Sequence, residues 1–386
     1  MRNNTPQRHL MGIDLVRFFA ATIVMIYHVN FFYRLRGLPL NRFGWPISDH
    51  LFISDKFGWV GVEIFFVISG LVIHHSASRG TASSFAVNRM LRLVPGVWIC
   101  ATISLLIYAF LGEHPLLTLM KLYVCTLLFW PFSAIDGVYW TLGVEISFYA
   151  IVFYLLLIDR LRHLEWIMFA FGMVSLSFWC VALTLETVLP HIHGRYAGFA
   201  LLWTHKAVAA RIFQLCLIQH GCFFALGVLI KEATESGLTR IRLITGMLLC
   251  CGCSLEIIGQ NDLIARLTKM DLNPLFPLAI WWIAFAAIVL SVTQVLAARS
   301  WRPEFTRVLK FMGRITYPLY LVPAPVTILI CTLLAPSLGT NAVPVAILGA
   351  FIVAVLVDAY PEPAMRGLLK RIHRPVIAAL PRESTP

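Results

Sequence analysis

Three residues in one apolar stretch, MGIDLVRFFAATIVMIYHVNFF, are of a kind that does chemistry: Asp14, Arg17 and His28. Arg17 and His28 are eleven residues apart, close to three helical turns. A helix therefore carries both on one face, about 16 Å apart along its axis. Asp14 lies one turn before the arginine on the same face and partly neutralises it. A guanidinium and an imidazole inside a membrane are costly enough to mark a functional position. The pattern is a buried cation near one end of a helix and a buried base near the other.

Further ionisable residues stand in other apolar runs. Glu63 is in GWVGVEIFFVISGLVI and Glu145 in VYWTLGVEISFY. Counted from the ends of their segments, His28, Glu63 and Glu145 are expected at one depth, about 7–10 Å below one boundary, facing one cavity. Arg89 and Arg92, in NRMLRLVP, are three apart in a connection and are expected to present both guanidinium groups to one side. Such paired forks suit phosphate. Tyr317 and Tyr320 enter a late segment from that same side. Arg89 and Arg92 also read as charges that simply set orientation, and Glu63, Glu145 and His28 as hydrogen-bonded groups of a bundle interior.

The elements that must hold these residues are membrane helices. Of 386 residues 59% are hydrophobic and 13% charged, with mean hydropathy +0.80, against about 25% charged in globular domains. Eleven apolar segments can be marked: 10–33, 57–76, 93–111, 117–132, 139–158, 165–187, 210–230, 241–259, 275–297, 315–335 and 342–359. The short one at 117–132 contains Lys121 and ends at Trp130-Pro131-Phe132. If it does not cross, roughly two thirds of the 31 Lys and Arg residues fall on one side, as the positive-inside rule requires. If it crosses, the clusters RSWRPEFTRVLK and MRGLLKRIHR move outside. The expected fold is therefore an all-α integral membrane protein. It is a polytopic bundle of about ten spans plus one non-spanning or re-entrant segment, with both termini cytoplasmic.

The chain reads as one membrane domain over 1–386, with a cytoplasmic tail from about 360 and a first span in place of a cleavable signal. The net charge of +12 lacks a contiguous basic domain, so nucleic acid is not an expected partner. The nine cysteines read as small hydrophobes. Cys250, Cys251 and Cys253 have no metal-ligand partner at local spacing, and His191 and His193 would need further ligands. No metal site and no permanently bound cofactor are expected. Arg211 and His220 are further buried candidates within 210–230.

Together these segments resemble the acyltransferase 3 family of membrane acyltransferases, most strongly over 11–150. The resemblance rests on IDLVRFFAATIVMIYH, on GWVGVEIFFVISGLVI with its Phe65-Phe66 to Ser69-Gly70 signature, and on Arg89 and Arg92. VYWTLGVEISFY, GRITYPLYLVPAP and YPEPAMR complete it. The chain departs from the pattern at Pro323, where many members carry histidine, and at Thr316, in place of serine. The resemblance implies a free-standing multi-pass enzyme of the bacterial inner membrane, without a fused esterase-like domain. It implies transfer of an acyl group, acetyl above all, from cytoplasmic acyl-CoA to a hydroxyl of an exopolysaccharide, lipopolysaccharide or lipid-linked sugar, alongside membrane lipids and polysaccharide assembly proteins as partners. In that reading His28 is the base and Glu63 or Glu145 orients it. Arg89 and Arg92 hold the CoA phosphates, and Asp14, Arg17, Tyr317 and Tyr320 line the route. Two alternatives fit the same residues: a carrier or flippase for a glycolipid or small anion, and an acyltransferase with a non-polysaccharide acceptor.

Overall fold

The computed structural model of the protein describes residues 11–29, 54–78, 80–112, 114–192, 195–293 and 303–379. Both chain ends, most of the loop at 34–56, and His193 lie outside them. Among the described residues every regular element is helical.

Helix α1, Met11–Tyr27, packs against α2, Gly61–Ala77, which is led in by the short turns Ser54–Phe57 and Gly58–Val60. Glycine sets this contact: a Cβ on Gly61 would meet the Ala20 carbonyl at 2.6 Å, and one on Gly58 would collide with the Ile23 carbonyl. The pairing of Gly58 with Ile23 and Tyr27, and of Gly61 with Ala20 and Val24, makes the two helices antiparallel with a one-for-one register.

Helix α3, Ala82–Leu111, begins at an N-cap where Thr81 accepts from the Ser84 amide, and stops at Gly112, φ 65°. It starts well before the expected apolar run, so Arg89 and Arg92 sit on its first turns and not in a loop. Helix α4, Leu116–Leu127, has 12 residues. At about 18 Å it is too short for a hydrocarbon layer of about 30 Å, in keeping with a non-spanning segment. It lies on α3, with the Trp98 indole donating to the Leu127 carbonyl at 3.2 Å. Helix α5, Trp140–Leu157, follows.

The stretch between the apolar segments 165–187 and 210–230 contains a helix. Helix α6, Leu164–Val188, is followed by α7, Arg195–Ala209. The apolar run 210–230 is broken into α8, Arg211–Leu215, and α9, Gly221–Ser236. Leu217 takes φ 56° at the break. The backbone groups freed there are satisfied locally: the Gln219 carbonyl accepts from Ser175 at 2.5 Å and from Trp179 at 3.1 Å. Helices α2 and α9 cross at a pair of glycines, because a Cβ on Gly227 would overlap the Val67 carbonyl and one on Gly70 the Phe224 carbonyl.

Helices α10, Arg240–Thr268, and α11, Leu275–Val292, lead to α12, Pro303–Leu321, and α13, Pro323–Leu338. The last two, expected as one span, meet at a 68° bend. Pro323 is the cause: without an amide hydrogen it cannot continue α12, but it suits the first turn of α13. Helix α14, Ala342–Ala359, runs on into α15, Pro361–Ala379, which replaces the expected tail and packs on α3.

Seven helices are long and apolar enough to cross a membrane, or eight if the bent pair is one crossing, among the described residues. Helices α1 and α9, the other two segments in the expected ten, have 17 and 16 residues.

Candidate active site

Two adjoining cavities share three walls: Arg17, Arg92 and Tyr317. The inner one, about 70 Å³, is lined on its polar side by Ser69, Thr141, Glu145 and Tyr320 and closed at its far end by Val62, Phe65 and Phe66. The outer one, about 390 Å³, opens at the end of the bundle where Arg92 lies and adds Lys310, Arg314, Arg366 and Lys370 to its lining. Among the described residues, Asp14 and Glu362 are its carboxylates, set against six cations.

Glu145 is held by its own helix and by α2. The Ser69 hydroxyl donates to Glu145 Oε1 at 3.1 Å, and the Tyr149 hydroxyl, one turn on, donates to the same oxygen. Both tyrosines of the late motif are anchored. Tyr317 donates to the Leu93 carbonyl at 3.2 Å, and its ring fills the space that a side chain at Gly96 would occupy. Tyr320 shares a hydrogen bond with Thr141 at 2.8 Å. Asp14 lies against Gly313 of α12, at the mouth of the outer cavity.

The sequence-derived residues separate into three places. Arg17, Arg92, Glu145, Tyr317 and Tyr320 come together on the inner cavity, and Asp14 joins at the outer one. Arg89 does not pair with Arg92 on this surface. It turns to the end of α2, donating to Ser76 Oγ at 3.1 Å, with its guanidinium over the rings of Phe85 and Tyr149 at 5.6 and 5.9 Å. Those aromatic faces offer a second, better-packed seat for a planar cation.

The expected common depth of His28, Glu63 and Glu145 is not found. In the α1–α2 register Glu63 lies level with Ala20, about 12 Å below His28 along the axis. Glu145, bonded to Ser69, lies about 9 Å further in, level with the Asp14–Arg17 turn. Counting from segment ends fails here because the spans enter at different heights. Neither carboxylate can therefore orient the imidazole. His28 takes that constraint from its own helix: Nδ1 is 2.9 Å from the Val24 carbonyl. A carbonyl only accepts, so Nδ1 carries the proton in that bond, and in the neutral imidazole the lone pair is then on Nε2, the tautomer a general base requires.

Glu63 belongs to a third place. It is buried with His220 and Glu256. Sequence reasoning singled out His220 but missed Glu256, although a lone carboxylate in the apolar run CSLEIIG was a signal of the same kind as Glu63. It also missed Lys310, Arg314, Arg366 and Lys370, which read as orientation charges until the fold gathered them around one mouth.

Fold and site together define a class of polytopic helical membrane protein with an inner cavity opening to a cationic mouth. Comparison with known proteins makes the assignment: residues 11–359 match the acyltransferase domain profile of the acyltransferase 3 family, and the chain belongs to that family. It is also similar to nodulation protein 10 of Rhizobium leguminosarum bv. viciae, 32% identical over 170 residues, covering 38% of this chain and 44% of that protein. The chain thus spans less than half the length of this relative. No solved structure matches.

Proposed function

We propose that this membrane acyltransferase moves an acyl group, acetyl above all, from cytoplasmic acyl-CoA to a hydroxyl of an exopolysaccharide, lipopolysaccharide or lipid-linked sugar at the other face of the bacterial inner membrane. The observation that carries the reading is the shared wall of Arg17, Arg92 and Tyr317, which joins a cationic mouth to an inner cavity with a polar side. The topology it rests on is ten crossings with both termini cytoplasmic, which puts that mouth on the cytoplasmic side, where basic residues concentrate.

In this proposal the phosphates of CoA bind Arg92, Lys310 and Lys370, with Arg314 and Arg366, themselves steadied by Asp358 and Glu362, completing the field. Arg89 supports the Arg92 turn from behind. The pantetheine arm enters past Asp14 and Tyr317, where Arg17 donates to its amide carbonyls and Glu145 accepts from its amide hydrogens. Tyr320 and Thr141 line the next stretch. His28, where the acceptor arrives from the other side, lies beyond the closed end, so the proposal requires the side chains of Val62, Phe65 and Phe66 to move aside for the thioester to reach it. His28 Nε2 takes the hydroxyl proton as the oxygen attacks the thioester carbonyl. When the C–S bond breaks, the imidazolium returns the proton to the CoA thiolate. A transient acyl-imidazole at the same nitrogen leads to the same products.

The test is acyl transfer from labelled acetyl-CoA to surface polysaccharide in membranes containing wild-type protein or His28→Ala. Loss of a general base lowers turnover by about 10²–10⁴-fold. Full transfer by His28→Ala removes the histidine from the reaction. An unchanged acyl pattern on the polysaccharide of a strain lacking the protein removes the proposed acceptor.

A further inference from the structure

We infer that Glu63, His220 and Glu256 form a binding site for one divalent metal ion of the zinc type, buried between α2, the start of α9 and α10. The three residues are 4%, 1% and 0% exposed. Each brings one ligand atom, and these atoms all lie within 4.8 Å of one another. Ligands bonded at about 2 Å to a common ion are up to about 4 Å apart, so small side-chain shifts bring all three onto one ion.

The polar accounting points to a cation. His220 Nδ1 is 2.5 Å from Glu256 Oε1, yet Glu63 Oε2, Glu256 Oε2 and His220 Nε2 have no hydrogen-bond partner. Among the described residues, no lysine or arginine pairs with either carboxylate. The guanidinium of Arg211, on the next short helix, is spent on the Trp140 ring at 4.6 Å and on Gln214. Protonating both carboxyl groups removes their charge but adds two O–H donors, and the lone pair of His220 Nε2 can accept from only one of them. One divalent ion neutralises two carboxylates and takes up their lone pairs in the same step.

The donor set selects the kind of ion. One imidazole and two carboxylates suit zinc and neighbouring divalent transition metals more than a soft monovalent one. The nearby thiol of Cys222 is engaged elsewhere, donating to the Gly172 carbonyl at 3.1 Å. The rings of Phe66 and Trp140, at 5.0 and 5.8 Å from the imidazole, keep the site dry. Val62 and Phe66, beside and one turn after Glu63, are walls of the inner cavity. The ion thus braces the closed end of that cavity by tying α2 to α9 and α10.

The test uses full-length protein purified in detergent without a histidine tag, with zinc supplied and excess removed, and metal counted by mass spectrometry. Wild type should hold about one zinc per chain, and His220→Ala and Glu256→Gln should each lower occupancy at least about ten-fold. A chelator should lower the melting temperature of wild type and leave that of Glu256→Gln unmoved. Less than about a tenth of an ion in wild type, or equal metal in all three proteins, overturns the site. If the variants fail to fold, zinc-edge X-ray absorption of the wild type decides. Nitrogen and oxygen neighbours at about 2.0–2.1 Å support the site, and sulfur at about 2.3 Å overturns it.

Discussion

Arg17 and His28 differ in what surrounds them, and their variants should differ in kind. Arg17 lies on both cavities opposite Glu145, whereas His28 is held by its own helix, away from both carboxylates. Removing one charged hydrogen-bonding partner of a bound donor costs about 1.5–3 kcal/mol. Arg17→Gln and Glu145→Gln are therefore expected to raise KM for acyl-CoA by roughly 10–100-fold with a smaller change in kcat. His28→Ala should do the reverse. Steady-state kinetics in nanodiscs separates the two, and a kcat loss at unchanged KM for Glu145→Gln would place that carboxylate at the chemistry. Tyr149→Phe, which strips one donor from Glu145, should follow Glu145→Gln in direction but with a smaller effect.

At the scale of the element, close backbone approach decides which helices can meet. Helices α2 and α9 touch through Gly70 and Gly227, each seated against a carbonyl of the other helix. A side chain there has no flexible neighbour to displace. Gly227→Val is expected to exceed the usual overpacking cost of about 1–3 kcal/mol, because the obstruction is backbone. Its readout is the folded fraction by size-exclusion chromatography in mild detergent. Gly198→Ala, where a Cβ meets nothing within 4 Å, is the control and should leave the yield unchanged. A monodisperse, wild-type yield of Gly227→Val would show that the crossing is looser than described. The bend at Pro323 belongs to the same scale. It ends α12 just after Tyr320, so the late-motif tyrosines stay at the cavity while α13 departs at 68°.

Across the whole molecule, the cationic mouth is assembled from four stretches of chain: α1, α3, α12 and α15. An open site of this kind is screened by salt over a Debye length of about 10 Å at 0.1 M. KM for acyl-CoA should therefore rise several-fold as ionic strength goes from about 0.03 to 0.3 M, with kcat nearly constant. Lys310→Ala together with Lys370→Ala should flatten that dependence. A salt-independent KM in the wild type would mean that the phosphates bind elsewhere. Arg242 ties the same end of the bundle, with Nε and Nη2 donating to Glu165 at 2.7 and 2.9 Å and Nη2 to Glu232 at 3.3 Å.

Much of this was legible in the residues alone. Apolar run lengths and the placement of lysine and arginine determined a polytopic helical membrane protein with a short segment at 117–132, because each of those properties is local to a stretch of chain. The order of IDLVRFFAATIVMIYH, GWVGVEIFFVISGLVI and VYWTLGVEISFY identified the family for the same reason. What lay beyond the sequence was which polar residues meet. That depends on helix register, and the glycine contacts of α1 with α2 shifted Glu63 and Glu145 away from His28. It also depends on breaks in helices. The turn at Leu217 delivered His220 to Glu63 and Glu256, and the chain beyond Tyr360 folded back as a helix to bring Arg366 and Lys370 to Arg17. Arg17 and His28 share a helix by sequence; tertiary packing alone put Arg17 on the cavity with Glu145 and left His28 apart from both carboxylates.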